Sequence, residues 1–130
     1  MIAQWADEYV GIPYLARGRT RSGCDCWGLV RLVLEERFGV VVPRFDDYDE
    51  AGIGSRDIVD ERFPLVDAVE IVNPESGDLV LMRLRGQPCH VGIVVGGGYM
   101  LHTLRAHEAA LDRYTGPRWA HNVEGFYRVR

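Results

Sequence analysis

Cys26 stands where a helix is expected to begin. Gly23-Cys24-Asp25 is a polar approach, and Leu29, Val30, Val33 and Leu34 recur behind it at helical spacing. Asp25 is a favoured N-cap type, placed to accept from the first unpaired N–H groups. Cys26 then falls in the first turn, where the helix dipole and open amides favour a negative charge. A thiol so placed is expected to lose its proton more readily, and the thiolate is the nucleophilic form. Taken alone, Cys26 reads equally as a packed core residue, because free cysteine is among the most buried residue types.

A cysteine nucleophile needs a base, and the chain holds His90, His102, His107 and His121. His90-Val91-Gly92-Ile93-Val94-Val95 is β-branched and apolar, Gly96-Gly97-Gly98 is a turn, and Tyr99-Met100-Leu101-His102-Thr103 follows as the next strand. If that turn pairs the two strands antiparallel, residues whose numbers sum to about 194 lie opposite one another. Gly92 then faces His102, and His90 is its diagonal neighbour on the same side of the sheet. That side is expected to abut the start of the Cys26 helix, giving a nucleophile, a base and a third group that orients the base. His107 and His121 read as surface residues. Each histidine taken singly also reads as a surface or satisfied core residue.

The rest of the chain must place these residues. With 130 residues, 47% hydrophobic and 26% charged, it is expected to form one domain over residues 1–130 with an ordinary core. A net charge of −4 offers no basic footprint for nucleic acid. No run approaches the ~20 apolar residues of a membrane span. The start, Met1 to Glu8, lacks the basic and apolar regions of a signal peptide, so synthesis in a reducing cytoplasm is expected. Three cysteines do not make a complete disulfide framework.

Ile2, Trp5, Ala6, Tyr9 and Val10 predict a short first helix, and Gly11-Ile12-Pro13-Tyr14 a fixed extended turn. Residues 15–24 read as loop, and the second helix runs from Cys26 to Phe38 with Gly39 behind it. The acidic cluster Asp46 to Glu50 reads as a solvated loop. Ser55 to Val72 suggests short helices, with Ile58, Val59 and Phe63 inward. From Pro74 the pattern turns to strands: a turn over Glu75 to Asp78, a strand over Leu79 to Met82, and a hairpin loop over Arg83 to Cys89. The two histidine strands, a loop-rich stretch over 104–122 and a closing strand over Val123 to Arg130 follow. Helices first and an antiparallel meander after make an α+β domain.

Five segments occur in a fixed order: Gly11-Ile12-Pro13-Tyr14, Asp25-Cys26-Trp27-Gly28-Leu29-Val30-Arg31, Ser76-Gly77-Asp78-Leu79-Val80, His90 to Gly96, and Met100-Leu101-His102. In this the chain resembles the NlpC/P60 family of papain-like cysteine peptidases. The Cys24-Asp25-Cys26 doublet and Trp27 resemble more narrowly the short stand-alone peptidases of phage tails and gene transfer particles, whereas secreted bacterial relatives more often carry a serine after the nucleophile.

The resemblance implies a papain-like fold and a triad of Cys26 as nucleophile, His90 as base and His102 as the residue holding His90. It places Tyr14 at the cleft as an oxyanion donor, with Asp25 and Trp27 as neighbouring substrate-side candidates. Trp27 also reads as core or pocket wall. The implied activity is cleavage of peptidoglycan stem peptides, typically between D-glutamate and a diamino acid, without metal or cofactor. The implied partners are tail hub or tip proteins, and the implied setting is a tail that opens the cell wall before DNA delivery.

Other readings stand beside this one. The domain could serve as a tail-tip assembly component, or run amidase, acyltransferase or transglutaminase chemistry on the same scaffold. Cys24, Cys26, Cys89 and His90 can be written as a zinc site, although Cys-x-Cys is tighter than the usual ligand gap. Cys24 otherwise reads as loop packing and Cys89 as structural. Arg17, Arg19 and Arg21 read as solvated loop charges near the cleft.

Overall fold

The computed structural model describes residues 1–45 and 67–129. The segment that opens on the cysteine forms α1 (Cys26–Phe38), with the expected boundaries. Asp25 caps it in extended conformation by accepting from the Gly28 N–H at 2.9 Å. Gly39 ends it at φ +67°, the left-handed conformation that glycine adopts at least cost. Every residue from Cys26 to Val30 is buried, so the helix begins inside the molecule rather than at its surface.

Ahead of α1, the loop expected over residues 15–24 contains a two-residue hairpin, β1 (Arg19–Thr20) and β2 (Gly23–Cys24). The first helix is a 3-10 turn over Gln4–Glu8. Ala6 and Tyr9 are buried, while Val10 points to solvent.

The remaining strands are β3 (Ala68–Ile71), β4 (Leu79–Leu84), β5 (Gln87–Gly96), β6 (Tyr99–His102), β7 (Ala110–Arg113) and β8 (Val123–Val129). They form one antiparallel sheet in the order β3-β8-β4-β5-β6-β7. The helix-on-antiparallel-sheet layout is the expected α+β class. Three local expectations are corrected. The segment 68–71 is a strand, because it finds β8 as a partner. The hairpin loop over 83–89 shrinks to Arg85-Gly86, both at positive φ (+53° and +79°), a turn whose twist suits two long paired strands. The stretch 104–122 contains β7. The readings for Asp46 to Glu50 and for Ile58, Val59 and Phe63 lie outside the described residues.

Strand alternation divides the core. Leu79, Leu81, Val91, Ile93, Val95 and Leu101 pack on the buried side of α1. Val80, Met82, Val94 and Met100 pack on the opposite side around Trp119. No helix among the described residues is long and apolar enough to cross a membrane.

Candidate active site

Asp25 fixes where the helix, and so the cysteine, begins. Its Oδ1 accepts from the Gly28 N–H and from Arg19 Nη1 at 2.8 Å, and its Oδ2 accepts from the Arg17 N–H at 3.0 Å. Arg19 is itself buried, and it also donates to the carbonyls of Gly18, Arg44 and Phe45. A buried ion pair backed by further hydrogen bonds to carbonyls is the arrangement in which such a pair holds without a stranded charge. Asp25 is therefore a structural clamp, not a substrate-side group, and Arg19 is not a solvated charge. Trp27 takes its core reading rather than the substrate-side one. It is buried, donates Nε1 to the Pro43 carbonyl at 3.1 Å, and packs its ring 5.5 Å from that of Phe45.

Cys26 opens into a small cleft of about 150 Å³, shared with Tyr14, Cys89, His90, Thr103 and Leu104. Tyr14 is delivered by the backbone on either side of it: the Cys24 N–H donates to the Pro13 carbonyl, and the Leu15 N–H to the Cys24 carbonyl. The sulfur of Cys26 accepts from the backbone N–H groups of Val91 and Trp27, which places it directly beside β5, one residue past His90. These donors favour the thiolate, but burial, then the charge of Asp25, outweigh them and push the thiol up to about 12. The helix start does not lower it, contrary to expectation, because the whole first turn is buried.

The other two cysteines differ from each other. Cys24 is buried and its thiol is also pushed up to about 12 by burial, with Asp25 adding to the effect. Cys89, read as structural, is half-buried and lines the cleft. Met82 pairs with His90 and Arg83 with Pro88, leaving Cys89 as the extra residue of a β-bulge just before His90. Bulges beside a site re-aim the next side chain.

The histidine register is as expected. Ile93 pairs with Leu101 and Val94 with Met100, and a β-carbon built on Gly92 would lie 3.2 Å from His102 Cβ. His90 Nε2 meets His102 Nδ1 at 2.8 Å, and His102 Nε2 meets Asp112 Oδ2 at 2.7 Å. The three residues are successive diagonal neighbours on β5, β6 and β7. Their side of the sheet is not the one that packs on α1. It is the Trp119 side, where the indole stacks on His90 (5.8 Å, 26°) and stands edge-on to His102 (5.1 Å). Cys26 and His90 share the cleft at the end of the sheet, where the bulge falls.

A family model described as NlpC/P60 matches residues 11–128. The chain belongs to the NlpC/P60 family. It is 30% identical over 126 residues to the murein DD-endopeptidase/LD-carboxypeptidase MepS of Escherichia coli K12, covering 97% of this chain and 60% of that one. It is 31% identical to the γ-D-glutamyl-L-lysine dipeptidyl-peptidase of Bacillus subtilis 168, over 78% of this chain and 31% of that protein. The NlpC/P60 domain of the peptidoglycan hydrolase SagA superposes with a TM-score of 0.62 at 21% identity, covering 96% of this chain and 92% of that chain. The chain thus spans less than two thirds of the first sequence relative and about a third of the second, while the SagA domain matches it in extent and fold.

In this NlpC/P60 domain the hydrogen bonds dictate the histidine tautomers. A carboxylate can only accept, so His102 Nε2–H donates to Asp112, leaving Nδ1 to accept from His90 Nε2–H. The basic nitrogen of His90 is then Nδ1, available to the cleft that holds Cys26. Burial and the neighbouring His102 hold His90 down at about 3, so it is a neutral acceptor at ordinary pH. His102 is also lowered by burial, although the bond to Asp112 opposes the shift.

Asp112 and Trp119 escaped the sequence reading. The one signal for Asp112 was an acidic residue of matching strand parity, on a segment too short to show alternation. Asp112 acts through His102 and is a positioning residue. Asp112→Asn, whose amide can donate as well as accept, is expected to lower kcat about 10–100-fold with KM changed by less than about twofold. Its side chain is one-third exposed (34%), so the melting temperature should stay near wild type. Steady-state kinetics with a thermal melt checks this, and a kcat within twofold of wild type would remove Asp112 from the relay.

Proposed function

We propose that this domain is a cysteine endopeptidase acting on peptidoglycan stem peptides, cutting between D-glutamate and the following diamino acid. The observation that carries the reading is one cleft lined by both Cys26 and His90, with His102 and Asp112 fixing the tautomer of that base. His90 Nδ1 takes the thiol proton as the sulfur attacks the scissile carbonyl carbon. The carbonyl oxygen becomes an oxyanion at the start of α1, with the Cys26 N–H and the Tyr14 hydroxyl as its donors. The imidazolium returns its proton to the leaving amine. Water activated by the same nitrogen then hydrolyses the thioester and frees Cys26.

Peptidoglycan as substrate is supported by the activities named for MepS and for the B. subtilis dipeptidyl-peptidase. The Cys24-Asp25-Cys26-Trp27 pattern supports placement in a phage or phage-like tail, where hub or tip proteins would carry the domain to the wall. Mass spectrometry of purified muropeptides treated with wild type and Cys26→Ala tests the reaction. Wild type should cut inside the stem and Cys26→Ala should cut nothing. Cleavage at the sugar–peptide amide, or undiminished digestion by Cys26→Ala, overturns it. Finding the protein free in lysates and missing from purified tail particles would overturn the placement.

A further inference from the structure

Trp119 packs on both histidines of the relay, yet it does not line the cleft that holds Cys26. It is 4% exposed and sits among Val80, Met82, Val94 and Met100. Its Nε1–H is buried without a hydrogen-bond partner among the described residues. A buried indole N–H usually finds an acceptor, and a bond left unmade costs stability. This ring is seated by its faces rather than by its polar edge.

One of those faces meets a base that must become charged inside the protein. His90 is buried, and burial holds it neutral before reaction. When its Nδ1 takes the Cys26 proton, the imidazole turns cationic where little water can reach it. In the plane of the ring, the new charge is met by His102 Nδ1, which accepts from Nε2–H and is backed by Asp112. Out of the plane it meets the indole, 26° from parallel at 5.8 Å. That lies within the ~6 Å over which an aromatic face attracts a cation. The exposed Arg118 guanidinium also lies over this indole, at 5.4 Å. Its charge is permanent and screened by water, so it acts alike before and during the reaction. The charge on His90 exists only once the proton moves, and an interaction made only then speeds the step.

We propose that Trp119 is a positioning residue for the base: its indole face stabilises the His90 imidazolium that forms as Cys26 reacts, and its contact with His102 keeps that ring in line. This rests on the reading of Cys26 as nucleophile and His90 as base.

Site-specific replacement of Trp119 by mono-, di- and trifluorinated tryptophan tests it. Fluorine withdraws electron density from the ring face and leaves its shape nearly unchanged. Alkylation of Cys26 by iodoacetamide, followed by peptide mass mapping, reads the step without peptidoglycan: the sulfur displaces iodide and its proton passes to His90. The rate at neutral pH should fall stepwise along the series, by about 3–10-fold in all, with the melting temperature unchanged. Trp119→Leu should lose about 10–30-fold, and Trp119→Phe, which keeps an aromatic face, should fall between. Muropeptide cleavage should decline in the same order through kcat, with KM changed by less than about twofold. A rate that is flat or rising along the fluorine series, or Trp119→Leu reacting as fast as wild type, overturns the proposal. Failure of the endopeptidase reading shows separately, as no muropeptide cleavage by a wild type whose alkylation series still falls.

Discussion

His90→Ala is expected to lose turnover by about four orders of magnitude and to leave a residual rate that climbs with pH. The reason lies in the Cys26 thiol, which burial pushes up to about 12. At neutral pH a thiol of that kind is ionised to roughly one part in 10⁴–10⁵, so it is not a ready-made nucleophile. In the wild type, His90 is neutral because burial and His102 hold it at about 3. In the proposed mechanism it accepts the proton as the sulfur–carbon bond forms, and no standing thiolate is needed. Without His90, the rate should follow the thiolate fraction and rise about tenfold per pH unit across the alkaline range. The wild-type profile should be much flatter there. Rate measurements on both proteins between about pH 6 and 10 decide the matter. A loss below about 100-fold, or a pH-independent residual rate, would mean that Cys26 is ionised without His90.

Gly28→Ala should be the most damaging of the small changes to the fold. In an ordinary helix interior alanine is favoured over glycine by about 1 kcal/mol. Here the new β-carbon would lie 2.0 Å from the Gly18 carbonyl oxygen, 2.9 Å from Cys24 Cβ and 3.1 Å from Arg19 Nη1. The first contact is with backbone. Relieving it requires the hairpin to move off α1, breaking the Arg19–Asp25 clamp with it. A loss of more than about 3 kcal/mol follows, in the range of a broken buried pair plus core strain. Gly39→Ala is the control. A β-carbon there meets nothing within 4 Å, and only the left-handed backbone opposes it, at a cost of about 1 kcal/mol. Denaturant titrations of both variants check the ranking, and a Gly28→Ala protein as stable as wild type would show that the hairpin is not rigidly seated.

The nucleophile helix was legible because its signals are local: Asp25 as cap, apolar residues at helical spacing, and Gly39 as stop. The pairing of His90 with His102 was legible because a glycine turn fixes the register of the strands it joins. What escaped depends on distant partners. β1 and β2 are two residues each, too short for any period. β3 becomes a strand only by meeting β8. Asp112 gains its role through a register with β6 that no local pattern announces, and Trp119 arrives from a loop. The misread charges share one cause. Asp25 is the cap it was read as, but the resemblance also made it a substrate-side candidate, whereas its carboxylate is engaged by Arg19 and the Gly28 N–H. The helix-start argument for Cys26 likewise assumed an exposed first turn, and the actual turn is buried.

The strand order also says something about how the molecule comes into being. β4 to β7 are successive neighbours, so the histidine relay can zip up hairpin by hairpin as the chain leaves the ribosome. β3 has no such neighbour. Its pairing, Ile71 with Phe126 and Ala68 with Val129, waits for β8, and until then one side of β4 is also an open edge. Without β8, β3 and one side of β4 lack their partner strand, the kind of open edge that invites wrong pairing. The seven residues of β8, inserted between β3 and β4, close both edges at once.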